Sequence, residues 1–122
     1  MGDRALVLFT DGTEVSPTVY LHWSGTNVPK YLEELKELMA TRLDDVSYGC
    51  ARFIGICHSK NAKDNCSLGV WSTDVKIEQA ILCNEEKDLA KYSHGDAGVI
   101  VVDVKTYEWK AYGGYLAHEN VA

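Results

Sequence analysis

The four cysteines and four histidines are the first residues to test for chemistry. Cys50, Cys57, Cys66 and Cys83 form no C-x-x-C pair, and no histidine pair follows at zinc-ligand spacing, so a metal site is not expected. Cys50 and Cys57 fall on one helical face, where a reduced cysteine packs as a small hydrophobe. Cys57 and His58 are adjacent and point to different faces. Cys66 with His94 would make a nucleophile and base only if the fold brought them together, and nothing local activates either. Ser24 stands in Ser-Gly, not in G-x-S-x-G. The run His94-Gly95-Asp96-Ala97-Gly98 leads into a strand instead of from a strand into a helix, which is a turn context and not a phosphate loop. Asp44-Asp45 and Glu85-Glu86 read as helix starts or solvated faces. The expectation is no catalytic residue, no metal and no cofactor.

The aromatic and polar residues are more suggestive. Seven tyrosines and three tryptophans occur in 122 residues. Trp71, Tyr107, Trp109 and Tyr112 are expected on short strands. His22, Tyr48, Arg52 and Asn84 could supply polar contacts. An aromatic plane for a base and an arginine for phosphate is how a small site holds a nucleotide. The same residue types also build dimer interfaces, or simply a core. The expected ligand-binding set is Arg52, Trp71, Asn84, His22, Trp109 and Tyr48.

Elements must position these residues. Ala5–Thr10 is a short apolar run followed by Asp11-Gly12, a two-residue hairpin signal. Thr18–Trp23 alternates, with Val19, Leu21 and Trp23 on one face and Thr18, Tyr20 and His22 on the other. Asn27 and Pro29 open an amphipathic helix whose apolar face is Val28, Tyr31, Leu32, Leu35, Leu38 and Met39, ending near Arg42. A second helix follows Asp44 or Asp45, with Cys50, Phe53, Ile54 and Cys57 on one face. Gly49 and Gly55 each cost about 1 kcal/mol there, which close approach of another backbone would offset. Ser59–Asn65 is a polar loop. Ser67–Trp71 and Lys76–Cys83 read as strands, and Asn84–Gly95 as a loop or weak helical turn. Val99–Asp103 is a strand covered on both faces, and Tyr107–Tyr112 pairs with it as a hairpin. The tail beyond Gly113 is expected to fray. The order β-β-α-α-β-β-β-β predicts one α+β domain over residues 1–122: an antiparallel sheet of about six strands with two helices on one face.

Hydrophobic residues make up 46% and the formal net charge is −6, so a globular core is expected and phosphate-driven binding to nucleic acid is disfavoured. No run of about 18 apolar residues occurs and no signal h-region follows Met1, so a cytoplasmic protein with reduced thiols is expected, with no membrane contact. The aromatic hairpin Val99–Tyr112 suggests a homo-oligomer.

The segments Val19-Tyr20-Leu21-His22-Trp23-Ser24-Gly25, Cys50-Ala51-Arg52-Phe53, Ser67-Leu68-Gly69-Val70 and His94-Gly95-Asp96-Ala97-Gly98-Val99 resemble a family of small uncharacterised proteins of phages and bacterial mobile elements. The likeness runs over most of the chain. One subclass it is similar to is the anti-Thoeris sponges, oligomers that sequester cyclic ADP-ribose-type signals. The other is the acidic anti-CRISPR proteins, which block basic grooves. The resemblance implies a non-enzymatic anti-defence protein of the host cytoplasm whose partner is a nucleotide signal, with an acidic protein–protein inhibitor as the alternative.

Overall fold

The computed structural model describes residues 3–60, 67–93 and 95–119. The chain is α+β, with one mixed sheet of five strands: β1 (Ala5–Thr10), β2 (Thr18–Leu21), β3 (Leu68–Trp71), β4 (Gly98–Asp103) and β5 (Glu108–Tyr112), in the order β3-β2-β1-β4-β5. β1 and β4 run parallel from Ala5 opposite Gly98 to Thr10 opposite Asp103, and the other pairs are antiparallel. Every residue of β1 is buried, as a strand covered on both faces requires.

The two faces are covered by different helices. On one lie α1 (Val28–Leu38) and α2 (Val46–Lys60), packed on Val7, Phe9, Val19, Leu21, Ile100 and Val102. The expected helix faces are largely the buried ones, although Leu38 ends exposed. On the other lie α3 (Val75–Leu82) and a 3-10 helix, Glu86–Tyr92, packed on Leu6, Leu8, Val99 and Val101. A short α4 (Leu116–Glu119) packs against β5 and buries Leu116.

Four expectations are corrected. Lys76–Cys83 is helix α3, not a strand, because Asp74 caps the first turn through Lys76 N–H at 2.8 Å and Ile77, Ala80 and Ile81 share one face. The sheet therefore has five strands and not six. It is mixed and not antiparallel, because β1 and β4 are parallel neighbours. The helices occupy both faces, not one. In addition, the β1–β2 connection is a wide loop, Asp11–Pro17, and not a two-residue turn. Within it Ser16 Oγ accepts the Phe9 N–H at 2.9 Å.

Gly49 does answer to a close approach, but of a side chain: a Cβ there would sit 2.5 Å from the Tyr107 hydroxyl. Gly55 meets nothing within 4 Å. The turn at Gly113-Gly114 lies on the backbone of Ala90, Asp96 and Ala97, so this part of the tail is docked. Cys66, His94 and most of the expected loop Ser59–Asn65 lie outside the described residues. Among the described residues no helix is long and apolar enough to cross a membrane.

Burial also sets the alkaline limit of the fold. It pushes the Cys57 thiol and the Tyr107 hydroxyl up to about 12, with Asp45 adding to the latter. Burial and the bond to Glu86 raise Tyr112 as well. The folded state thus keeps protons that the unfolded chain releases near its ordinary values of 9 and 10. That stability is complete below the unfolded values and is lost as pH rises through the folded ones. The urea midpoint should fall steadily from about pH 9 to pH 12. A midpoint flat across this window would show these groups to be solvated.

Candidate functional site

β1 and β4 end side by side, and there the chain diverges: β1 continues toward β2 on one side, β4 toward β5 on the other. In sheets with helices on both faces, this divergence opens a crevice outside the carboxyl ends of the strands. Here it is a cavity of about 580 Å3, within the size range of small-molecule sites. Thr10, Asp11 and Gly12 line it from β1, Asp103 and Lys105 from β4, and Glu108, Trp109 and Lys110 from β5. Ile81, Asn84 and Glu86 close it from the α3 side.

Local rules fix each group. Asp11 Oδ1 accepts the N–H groups of Thr13 at 2.8 Å and Glu14 at 2.9 Å. These bonds hold the Asp11 carboxyl below the usual range, with Lys105 nearby adding to the effect. Asp103 Oδ1 accepts the Lys105 N–H at 2.9 Å, and the Asp103 carbonyl accepts Tyr107 N–H at 2.6 Å. Glu86 accepts the Tyr112 hydroxyl.

Asn84 is placed by the end of α3. Its φ of 58° turns the chain, and the Glu85 N–H then reaches back to the Ala80 carbonyl at 2.8 Å, a Schellman stop. Asparagine is one of the few residues that adopts this backbone readily. Its exposed side-chain amide makes no hydrogen bond to the described residues.

The six residues expected to form one site fall in three places. Asn84 and Trp109 both line the cavity, but Trp109, opposite Val102 on β4, turns its ring toward the α1–α2 face. His22 and Trp71 lie at the β2–β3 edge in an aromatic shelf. The Trp71 ring sits 5.2 Å from Tyr20, and the Tyr20 hydroxyl bonds His22 Nδ1 at 2.7 Å. Trp23 closes the row 4.4 Å from His22. Tyr48 and Arg52 are exposed one turn apart on α2, across the sheet from that shelf, and Arg42 stacks 3.8 Å over the Tyr48 ring. Neither lines the cavity. Sequence reasoning missed Asp11, Asp103, Lys105 and Lys110, because their meeting depends on the parallel register of β1 and β4.

Among the described residues no group of three or more His, Cys, Asp or Glu is placed to hold a metal ion. Comparison with known families, with curated proteins and with solved structures finds no match for the chain.

Proposed function

We propose that the chain binds, without turnover, a small nucleotide-type signal in the cavity at the carboxyl ends of β1 and β4. The carrying observation is the content of that cavity: one unengaged amide, four carboxylates and two ammonium groups. Asn84 offers an amide for the edge of a base, while the Trp109 ring, opposite Val102, packs toward the α1–α2 face. Asp11 and Asp103 are fixed acceptors for ribose hydroxyls, while Glu86 is engaged by Tyr112 and Glu108 by Lys36 at 3.2 Å. Lys105 and Lys110, not Arg52, face the phosphates. Four negative against two positive lining groups give −2, which the Lys36–Glu108 pair at 3.2 Å reduces; the negative charge left favours a hydroxyl-rich ligand with few phosphates, such as a cyclic ADP-ribose, over a cyclic oligonucleotide. With the family resemblance, this supports a phage-encoded sponge acting in the host cytoplasm.

A thermal-shift series with ADP-ribose, its cyclic isomers and cyclic oligonucleotides tests the reading. Ligand at 100 times its dissociation constant should stabilise the fold by about 2.7 kcal/mol. Lys105→Ala should weaken binding by about 1.5–3 kcal/mol, the worth of a hydrogen bond to a charged group. Asn84→Gly keeps the backbone turn and should weaken it too, while Trp71→Ala should leave it unchanged. A panel without any shift, or binding lost only with Trp71, would sink the proposal.

A second reading is favoured by a separate surface. Leu38, Leu43 and Tyr48 are half exposed at the α1–α2 turn, rimmed by Glu37, Asp44 and Asp45, with Glu33 and Glu34 further along α1. An apolar centre with an acidic rim suits a basic protein partner, the alternative of an acidic inhibitor. Glu34 and Asp45 are already engaged by Lys60 at 3.5 Å and Arg42 at 3.2 Å, which lowers the free charge available.

A further inference from the structure

The two edges of the sheet are treated differently. β5 carries Glu108 and Lys110. Charge of this kind is one way proteins keep sheet edges from pairing. β3 carries no charge: its sequence is Leu-Gly-Val-Trp, with Val70 and Trp71 each 48% exposed. No described strand pairs with its outer side.

The register of β2 and β3 shows which backbone groups that outer side offers. The His22 N–H donates to the Ser67 carbonyl at 3.2 Å, and Tyr20 lies opposite Gly69. In an antiparallel ladder bonded and non-bonded pairs alternate. Gly69 and Trp71 therefore bond inward to β2, and Leu68 and Val70 turn their N–H and C=O groups outward.

We propose that this edge is a dimerisation strand and that its occupant is β3 of a second copy, antiparallel about a two-fold axis at Val70. That register makes Val70 exchange both backbone bonds with the partner's Val70, and sets Leu68 against the partner's Ser72. It keeps inward and outward faces matched, as strand pairing demands. On the shelf face each Trp71 lies opposite the partner's Gly69, a large side chain against none. On the other face Val70 meets its own copy, a favourable β-branched pair. No charge stands in either strand, so like-charge repulsion across the axis is absent. A two-fold interface needs a surface complementary to itself, and β3 meets that condition. The result joins two five-stranded sheets into one.

Sedimentation equilibrium over a concentration series tests this. Wild-type protein should reach twice 13.5 kDa. Val70→Lys places two ammonium groups face to face at the axis and should give the monomer mass. Leu43→Lys, at the remote α1–α2 turn, should leave the dimer intact. In wild-type protein the amides of Leu68 and Val70 should gain protection from hydrogen exchange as concentration rises, a readout that stands even if Val70→Lys fails to fold. A wild-type monomer throughout, a dimer that survives Val70→Lys, a dimer dissolved by Leu43→Lys instead, or fast exchange at Leu68 and Val70 would each overturn the proposal.

Discussion

Phe53→Ala is expected to lower the unfolding free energy by about 3–5 kcal/mol, a large share of the 5–15 kcal/mol typical of a domain. Phe53 is fully buried on α2, and its ring lies 5.4 Å from that of Phe9 on the central strand β1. The contact ties the α1–α2 layer to the middle of the sheet. Both rings lack exposure, so the void cannot be filled by a small rotation of an exposed neighbour. Urea denaturation measures the loss. Leu43→Ala, at a half-exposed loop position, should change stability by less than about 0.5 kcal/mol and serves as the comparison. A loss below about 1 kcal/mol at Phe53 would mean that α2 is not packed on β1 as described.

Gly98→Ala should be comparably damaging for a different reason. Gly98 opens β4 with φ at 110°, where an L side chain is strained. A Cβ there would also meet the Tyr112 carbonyl oxygen at 2.6 Å and the Gly114 nitrogen at 3.0 Å. These are backbone atoms that cannot rotate aside. Strain of about 1–3 kcal/mol and crowding of a similar size act together. The thermal midpoint should drop by roughly 10 °C or more. Gly55→Ala makes the contrast: that glycine is exposed on α2 with open space around it, and alanine should stabilise by about 0.5–1 kcal/mol. If both substitutions behaved alike, the close approach of β4 to the Gly113-Gly114 turn would be refuted.

How much of this was legible beforehand depends on the range of each signal. α1 and α2 were legible because Val28, Tyr31, Leu32 and Leu35, and then Cys50, Phe53 and Cys57, repeat at helical spacing, and all of them are buried. β4 was legible because an unbroken apolar run of that length suits a strand covered twice. α3 was misread as a strand over Lys76–Cys83, a short apolar run too brief for helical spacing to stand out. The local cue that decides for helix is Asp74 as cap, followed by Ile77, Ala80 and Ile81. The parallel pairing of β1 with β4 has no local signature, and the error in sheet type follows from that. The cavity has the same origin. Asn84 and Trp109 were singled out for their chemistry, yet Asp11 read as a turn residue and Asp103 as a strand end. Only the register that sets Thr10 beside Asp103 makes them neighbours.

That register has a consequence for how the chain reaches its structure. The centre of the sheet is joined from nearly opposite ends of the sequence. The Arg4 N–H and Nε both bond Asp96 Oδ2 across 92 residues, at the point where the β1–β4 ladder begins. During synthesis β1, every residue of which ends buried, emerges long before its central neighbour exists. Until β4 follows, β1 has only β2 beside it, and one flank of a strongly apolar strand stays open. Closing so long a loop comes before its contacts can repay the entropy, so folding should be slow for a chain of this length and late in the order of synthesis. The same strand that anchors the finished core is thus the segment most exposed to mispairing while the chain is incomplete.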